Sequence, residues 1–517
     1  MMVYYLSLSA SHIGHAVFDT QDLSTIRGSS ALLLRCPEEL LQWLETAADL
    51  GIAKVETIFT GASSGLFKID ASLTPDDLVA AIRCWLADHH RYQHFRFAVV
   101  TDDGGDGQLD HHERLTVKAR FADYDAVSLS MPNKVEQKGT KPCSIDGIRP
   151  ALVTLHEGGE KVSESVFDRH VYGRDERQAY YREIAPDLEG QPLKFADSLR
   201  DIVTSPPEAS VPPILEKKLA VIWMDGNGFG ALRTQLKNGL GVDDGLRFYS
   251  EQIKSRRQRL VSRLVRWALD HQPDEGFMRT SDGRIRFETL LWGGDEMLWV
   301  LPAWAAWDFM SEVQDEIADW TIATEPDGSA EPPLTHSAGM VFCNYKTPIY
   351  RMRDLAETLA QRANSVNETA DLQDKRNAIQ IHAVESVDIP ANYLDRYRET
   401  VFCHQDEAAF TLKSGREWAA LTRALRDLAS SLPRSQLHKL TTASARSAGS
   451  GHEEDDQNAL QAILERSRMM TSYRRFCDML CLGDNSPAIP ELLPIRQLLV
   501  LWPYLDPFGQ HKVQQDA

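Results

Sequence analysis

One stretch of the chain decides the fold. Residues 219–224, LAVIWM, form an unbroken apolar run that leads directly into residues 225–230, DGNGFG. Further on, residues 293–296, GGDE, separate two more strand-like runs, residues 285–292 and 297–301. Each motif places a carboxylate where an apolar strand ends, and carboxylate oxygens are ligands that Mg²⁺ prefers. The two motifs therefore predict a metal site for phosphoryl chemistry on nucleoside triphosphates.

The composition narrows the classes of protein to which the chain can belong. With 517 residues, 43% of them apolar, it has the length of about three soluble domains. The formal charge of −19 excludes a general polyanion binder, so any contact with nucleic acid or triphosphate must be local. The sequence predicts neither a membrane-spanning helix nor a signal peptide. The seven cysteines form no C-x-x-C pair, which fits a reducing cytoplasm.

Two stretches interrupt the chain and suggest its organisation. Residues 204–213 contain four prolines, and residues 441–457 combine serine, glycine and an acidic run. We predict an α/β module, a connecting segment with a linker, a second α/β module and a helical bundle. These occupy residues 1–140, 141–210, 211–390 and 391–517.

The third of these segments has the clearest pattern. A strand at 219–224, two helices, a hairpin around Gly293 and further helices and strands follow one another up to about residue 384. The order β-α-β-β-α-β predicts a ferredoxin-like sheet with its helices on one face. The first segment repeats this order weakly, with residues 60–65, TGASSG, at the position of the acidic turn. We therefore predict an α+β protein with two ferredoxin-like modules, the first without the carboxylates, and a helical C-terminal domain.

The spacing of the two motifs suggests one oxygen cage. In a ferredoxin-like sheet the first strand and the hairpin lie side by side, so Asp225 and Asp295 are expected within about 5 Å. Asp225, the backbone carbonyl of Gly226 and Asp295 would hold two Mg²⁺ or Mn²⁺ ions. Glu296 completes the cage or accepts a proton. The predicted catalytic residues are therefore Asp225, Asp295 and Glu296.

The glycines of both motifs suggest a nucleotide pocket. They let backbone N–H groups approach a triphosphate at the N-terminus of the helix that follows the first motif. We therefore expect Asn227, Gly228, Gly293 and Gly294 to shape this pocket. Phe229 has two interpretations, an anchor of that helix in the core or a platform on which a base stacks.

The two motifs resemble the palm of the nucleotidyl-cyclase and GGDEF superfamily. The trailing Gly230 is more similar to the polymerase-like large subunit of type III CRISPR effector complexes, a family with two palms. Weaker segments resemble other parts of the same family, so that the resemblance covers about residues 3–505. These segments are residues 25–33, 162–174 and 435–440.

The resemblance implies a second palm that makes cyclic oligoadenylates from ATP with two metal ions. Glu296 stands where that family has a final Asp, which leaves the product open. Basic groups near the triphosphate are implied at Arg362 and Lys375. The first palm is implied to be degenerate, with Ser63 and Ser64 in place of acids. The HD nuclease domain of many relatives has no counterpart in the sequence, so no cleavage of single-stranded DNA is expected.

Two further charged stretches have structural interpretations. His111-His112-Glu113 is interpreted as a solvated loop. A basic stretch on the long helix is interpreted as a solvated face, with RNA contact as the alternative. It consists of Lys254, Arg256, Arg257, Arg259, Arg263 and Arg266.

The sequence thus predicts a metal-dependent nucleotidyltransferase or cyclase. It would convert ATP, or another nucleoside triphosphate, into a cyclic nucleotide or oligonucleotide second messenger in anti-phage defence. Two alternatives stay open: a scaffold subunit of a type III CRISPR ribonucleoprotein, and a stand-alone mononucleotide or dinucleotide cyclase. Expected partners are the triphosphate, CRISPR-type subunits, an RNA activator or further copies of the chain, with no membrane. The sequence does not specify base preference, product size and linkage, activator requirement, a ligand of the first palm, or oligomeric state.

Overall fold

The computed structural model describes most of the chain. The centres of both predicted interruptions, residues 205–210 and 447–452, lie outside the described residues, as does the boundary predicted near residue 140. The described residues are 2–47, 50–61, 63–104, 109–125, 141–155, 159–184, 186–188, 193–204, 211–270, 278–324, 331–385, 389–402, 407–446, 453–480 and 492–505.

An antiparallel four-stranded sheet forms the first module, in the order β2-β3-β1-β4. Its strands are β1 Met2–Ser11, β2 Ile52–Gly61, β3 Ser64–Ala71 and β4 Arg96–Asp102. Its helices are α1 Ile13–Val17, α2 Leu23–Thr46, α3 Pro75–Asp88 and α4 His111–Asp125. Tyr4, Leu6 and Leu8 of β1 are buried together, because alternate residues of a strand face the same side. The weak repeat is therefore confirmed as a ferredoxin-like sheet.

The connecting segment packs against the first module. Its elements are β5 Val153–Thr154, β6 Lys161–Val162, α5 Glu164–Asp175, α6 Arg177–Ile184 and α7 Leu199–Val203. Helices α2 and α5 cross at Gly28, where a Cβ would lie 1.8 Å from the Arg169 carbonyl oxygen. The buried Arg169 guanidinium donates to both carboxylate oxygens of Asp19, at 2.8 and 3.1 Å. The glycine and this ion pair fix the segment on the first module.

A six-stranded sheet forms the second module, in the order β12-β11-β10-β7-β9-β8. Its strands are β7 Lys218–Gly226, β8 Glu288–Trp292, β9 Met297–Pro302, β10 His336–Asn344, β11 Ala378–Ala383 and β12 Leu412–Lys413. Its helices are α8 Phe229–Leu240, α9 Val242–Asp270, α10 Ala306–Ile317 and α11 Ile349–Ala363. Strands β10-β7-β9-β8 are an antiparallel ferredoxin-like core, which α11 and β11 extend.

The helices of the second module lie on both faces of its sheet. One face of β7, with Ala220, Ile222 and Met224, is buried with α8, α9 and α10. The opposite face, with Val221 and Trp223, is buried with α11. The prediction of helices on one face is therefore wrong for α11. This helix connects β10 to its parallel neighbour β11 and therefore has to cross one face of the sheet. It crosses the face that α8, α9 and α10 leave free.

The two modules share one apolar core around α11. Residues of the first sheet, such as Leu6, belong to the same buried cluster as Trp223 and Met352. The Arg353 guanidinium of α11 lies 5.3 Å from the Trp223 ring centroid and 5.8 Å from that of Phe18. The first module therefore packs directly on the second, and the space left between them forms a cavity.

Helices dominate the C-terminal region. Trp418 stacks on Trp307 of α10 with ring centroids 4.9 Å apart, which fixes this region to the second module. The predicted fold class is thus confirmed. Within the described part of the chain, no helix is long and apolar enough to cross a membrane. The helices are α12 Leu394–Phe402, α13 Glu407–Phe410, α14 Trp418–Ser431, α15 Arg434–Arg446, α16 Glu453–Arg466, α17 Met470–Asp478 and α18 Leu492–Leu505.

Candidate active site

The first acidic turn begins where β7 ends. Asp225 accepts a hydrogen bond on Oδ1 from the Gly226 N–H at 2.9 Å. Gly226 has no room for a side chain, since a Cβ there would lie 2.7 Å from the Phe229 ring. Gly228 has a φ of 74° at the N-cap of α8, a left-handed conformation that glycine adopts without strain. The turn therefore places a carboxylate beside the N-terminus of a helix.

Strand pairing brings the second acidic turn to the first. The β7–β9 ladder ends at the pair Met224 and Met297, so the next residues beyond it are Asp225 of β7 and Glu296, which directly precedes β9. Asp295 precedes Glu296 in the same turn. We call Asp225, Asp295 and Glu296 the acidic corner.

Two backbone hydrogen bonds of Gly293 hold the second acidic turn in place. The Gly293 N–H donates to the Glu296 carbonyl oxygen at 2.9 Å. The Gly293 carbonyl oxygen accepts a hydrogen bond from the Arg257 guanidinium of α9. The backbone of the turn is thus held both by itself and by a neighbouring helix.

Crowding of like charges sets the electrostatics of the acidic corner. Burial, and then the charge of Asp295, raises the pKa of Asp225 to about 6. Burial also raises the pKa of Asp295. Loss of solvent, and then the charges of Asp225 and Asp295, raises the pKa of Glu296 to about 7. A cation bound here would relieve this repulsion and favour the charged carboxylates.

The carboxylates do not form a complete ligand cage on their own. Among the described residues, no group of three or more His, Cys, Asp and Glu side chains is placed to hold a metal ion. Mg²⁺ is commonly bound by one or two carboxylates together with phosphate oxygens of the substrate. The donor set of Asp225, the Gly226 carbonyl and Asp295 therefore fits Mg²⁺ or Mn²⁺ that binds together with a nucleotide.

A cavity of about 620 Å³ lies between the two modules. Residues 293–296 line its second-module side, together with Arg233 and Arg257. Its size is within the range of small-molecule sites. Hydroxyl groups of the first module line the opposite side. They belong to Ser7, Ser9, Ser11, Ser63 and Ser64.

Comparison with known proteins relates the second module to a described family of domains. Residues 218–379 match the family model described as Cas10/Cmr2, second palm domain. The chain carries a second palm domain of the Cas10/Cmr2 type. This match confirms the predicted resemblance to the type III CRISPR large subunit for the segment that holds both acidic turns. No curated protein matches the sequence of this chain.

Solved structures extend the likeness of the fold beyond the second palm. The crystal structure of Csm1 in T. onnurineus is similar over 97% of this chain and 69% of that chain, with a TM-score of 0.53 and 14% identity. The Csm1-Csm4 cassette in complex with one ATP is similar over 97% of this chain and 70% of that chain, with a TM-score of 0.52 and 14% identity. The likeness of fold therefore includes the first module, which we call the first palm because its sheet has the same ferredoxin-like order.

Two side chains predicted to contact nucleotide are directed into the second palm itself. Asn227 is 4% exposed; its amide donates to Thr335 Oγ1 at 3.2 Å and its oxygen accepts from Ser337 Oγ at 2.7 Å. Phe229 is 3% exposed, and its ring packs edge to face on His336. Of the two interpretations of Phe229, the core anchor is therefore confirmed. The hydrogen bonds of the Asn227 side chain are made within the palm, and its part in shaping a nucleotide pocket stays a prediction. Asn227 ties the turn to the sheet, and Phe229 anchors α8 in the core.

The two predicted phosphate contacts differ in their surroundings. Lys375 lies beside the first turn, since a Cβ on Gly228 would be 2.7 Å from its Cε, and its ammonium donates to the Asn367 carbonyl at 2.7 Å. Arg362 is engaged by the carboxylate of Asp395, with one contact at 3.2 Å. Lys375 thus lies next to the first acidic turn, whereas Arg362 is paired with a carboxylate; a phosphate contact stays a prediction for both.

Two arginines that the sequence reasoning missed line the cavity. Arg233 is exposed in the first turns of α8, and its positive charge acts on Asp295. Arg353 of α11 forms an ion pair with Glu357 at 2.9 Å. Arg233 follows the first motif by a single helical turn, which was an available signal. Arg353 could not be found in this way, because α11 reaches the cavity only through the tertiary fold.

The basic stretch on α9 does not form one solvated face. Arg259 and Arg263 pair with Glu316 and Glu312 of α10, at 2.5 and 2.8 Å. Arg257 is buried and contacts the second acidic turn. The interpretation as one solvated face is therefore wrong for Arg257, while Arg259 stays largely exposed beside its partner on α10. The alternative of an RNA contact stays a prediction.

His111 is not part of a solvated loop either. It begins α4, its ring stacks on Tyr5 with centroids 3.7 Å apart, and Nε2 lies 2.9 Å from Asp243 Oδ1. The contact joins the first palm to the start of α9.

Proposed function

We propose that this chain is a metal-dependent nucleotidyltransferase or cyclase that converts ATP, or another nucleoside triphosphate, into a cyclic nucleotide or oligonucleotide messenger. One observation carries the proposal. Asp225, Asp295 and Glu296 meet at the end of two paired strands, and Asp295 and Glu296 line a cavity together with cationic side chains. Such a combination serves transfer of a nucleotidyl group, because carboxylates hold metal ions and cations hold phosphates.

Different residues of the site would have different roles in this reaction. Asp225, the Gly226 carbonyl and Asp295 would hold two Mg²⁺ or Mn²⁺ ions, which when bound neutralise phosphate charge and acidify the attacking ribose hydroxyl. Glu296, with a pKa of about 7, is suited to accept that proton near neutral pH. Arg233 and Lys375 would orient the triphosphate.

The surroundings of the site support a reaction between two nucleotides. The first palm presents hydroxyl groups across the cavity from residues 293–296, which suits a second nucleotide as acceptor. The Csm1-Csm4 cassette in complex with one ATP favours adenine nucleotides and a partner subunit for this chain as well. We accordingly propose a cytoplasmic protein in a CRISPR-type defence assembly, with domain limits at residues 1–140, 141–210, 211–390 and 391–517.

Product analysis tests the proposal directly. The purified chain is incubated with each nucleoside triphosphate and Mg²⁺ or Mn²⁺, with and without RNA, and products are identified by mass spectrometry. We expect a cyclic product that Asp295→Ala abolishes and Asp319→Ala, an exposed carboxylate paired with Arg416, leaves unchanged. Absence of any product that depends on Asp295, under all conditions, would favour a scaffold subunit. A mononucleotide or dinucleotide product that forms equally well without RNA would favour a stand-alone cyclase.

A further inference from the structure

Strand β8 of the second palm is held at both ends by buried arginine contacts. At its start, Glu288 is 2% exposed and lies 2.6 Å from the Arg27 guanidinium of the first palm. The same carboxylate accepts a hydrogen bond from the Tyr181 hydroxyl at 3.0 Å, and Arg177 lies 3.7 Å away. Three elements, α2, α6 and β8, thus meet at one buried carboxylate.

The other end of β8 leads into the second acidic turn. There the carbonyl oxygen of Gly293 accepts a hydrogen bond from the guanidinium of Arg257. Arg257 as a whole residue is only 6% exposed. Arg257 also interacts electrostatically with Tyr180, Tyr249 and Asp295. The guanidinium therefore sits between α6, its own helix α9 and the turn.

A buried guanidinium is a costly way to fill this position. Taking a charge out of water costs several kcal/mol, and apolar side chains of similar volume often stabilise such sites as well or better. The cation therefore has to be explained by something that an apolar residue cannot supply. A planar donor that fixes a backbone carbonyl and carries positive charge beside Asp295 meets this condition.

We propose that Arg257 is a positioning residue that sets the G-G-D-E turn, so that Asp295 and Glu296 stand opposite Asp225. The inference rests on the proposed function, and it concerns geometry rather than a direct contact with substrate. Glu288 anchors the start of β8, and Arg257 fixes where the strand ends. Both anchors contact α6, since Arg177, Tyr180 and Tyr181 all belong to that helix.

A matched set of variants separates positioning from packing. Arg257→Gln keeps a polar side chain but loses the charge and most of the donor fork, whereas Arg257→Lys keeps the charge and a single donor nitrogen without the planar fork. Arg259→Gln is the control, because Arg259 lies on the same helix and pairs with Glu316 at the surface. We expect Arg257→Gln to lower kcat about 100-fold with KM for ATP within about threefold, since a displacement of 1 Å at a reacting group can cost this much.

If Arg257→Gln fails to fold, the conservative variant Arg257→Lys still tests whether Arg257 positions the turn. We expect Arg257→Lys to recover about tenfold of the lost kcat and Arg259→Gln to match the wild type. Wild-type kcat in folded Arg257→Lys or Arg257→Gln would overturn the inference. So would a large rise in KM at unchanged kcat, because it would make Arg257 a ligand of the substrate.

Amide hydrogen exchange gives a measurement that does not depend on turnover. The turn is closed by the Gly293 N–H, so peptides that cover residues 291–297 report its opening. We expect faster exchange there in Arg257→Gln, with unchanged exchange in β7 and β10. Unchanged exchange in the turn would refute positioning, whether or not the chain proves active. Conversely, the absence of any Asp295-dependent product in the wild type would refute the proposed function. Hydrogen exchange would then still decide whether Arg257 positions the turn.

Discussion

The four-stranded cores of the two palms have the same strand order, but they present different chemistry to the cavity between them. In the second palm the hairpin turn carries Asp295 and Glu296. In the first palm the corresponding turn carries Ser63 and Ser64, and the Ser63 carbonyl accepts a hydrogen bond from the Ala10 N–H at 3.0 Å. Topology thus fixes where a turn lies, and a few residues decide whether it offers carboxylates or hydroxyls.

The largest expected effect comes from removing a carboxylate of the second palm. Asp295→Asn should lower kcat by roughly 1,000-fold or more, because the amide cannot neutralise a metal ion. The equivalent change in the first palm, Ser64→Ala, should alter KM by only about threefold, since it removes one hydroxyl from the wall of the cavity. Steady-state rates of product formation measure both. Equal effects of the two changes would show that the palms are not specialised.

The pH dependence should follow the carboxylates of the second palm alone. Their raised pKa values, about 6 for Asp225 and about 7 for Glu296, mean that both hold protons at pH 5 and release them by pH 8. Activity at a fixed, limiting concentration of Mg²⁺ should therefore rise at least about tenfold from pH 6 to pH 8. A higher concentration of Mg²⁺ should shift this rise to lower pH, because metal and proton compete. A flat profile over this range would contradict the proposed proton acceptor.

A smaller effect is expected for the missed arginine of the cavity. Arg233→Ala should raise KM for ATP about tenfold, which corresponds to the loss of one charge-assisted contact with phosphate. Arg416→Ala is the control, because Arg416 is an exposed surface arginine paired with Asp319. Titration with ATP at saturating Mg²⁺ gives both values. An unchanged KM in Arg233→Ala would remove Arg233 from the phosphate site.

The smallest effect concerns stability without metal. The pKa of Asp225 is higher in the fold than its ordinary value of 3.8, so its charge destabilises the fold as pH rises from about 4 to about 6 and above. In EDTA at pH 8, Asp225→Asn should raise the melting temperature by about 2–4 °C, with no gain at pH 3.5. Ser64→Ala should give no such gain. A lower melting temperature for Asp225→Asn at pH 8 would contradict the crowding of charge.

The sequence predicted the strands and turns well but not the directions of side chains. Apolar runs located β7 and β9, and the β-α-β-β-α-β order was enough to pair them, so the two acidic turns lie at the same end of the sheet as expected. The residue that the register places across from Asp225 is Glu296, whereas the prediction paired Asp225 with Asp295. Asn227 lies in a tight turn, where no simple periodicity tells whether its side chain faces inward. Arg257 sits in a run of charged residues, and only the contact of α9 with the turn distinguishes it from its neighbours.

The shared core of the two palms also has a consequence for synthesis of the chain. The first palm leaves the ribosome with an apolar surface whose buried cluster is complete only when α11 has been made. Roughly 300 residues separate α2 from α11, so at about 5–20 residues per second this surface stays uncovered for roughly 15–60 s. Nascent first palms on neighbouring ribosomes could pair through it. Production of the protein should therefore depend on chaperones that shield nascent chains, and on a translation rate that keeps this interval short.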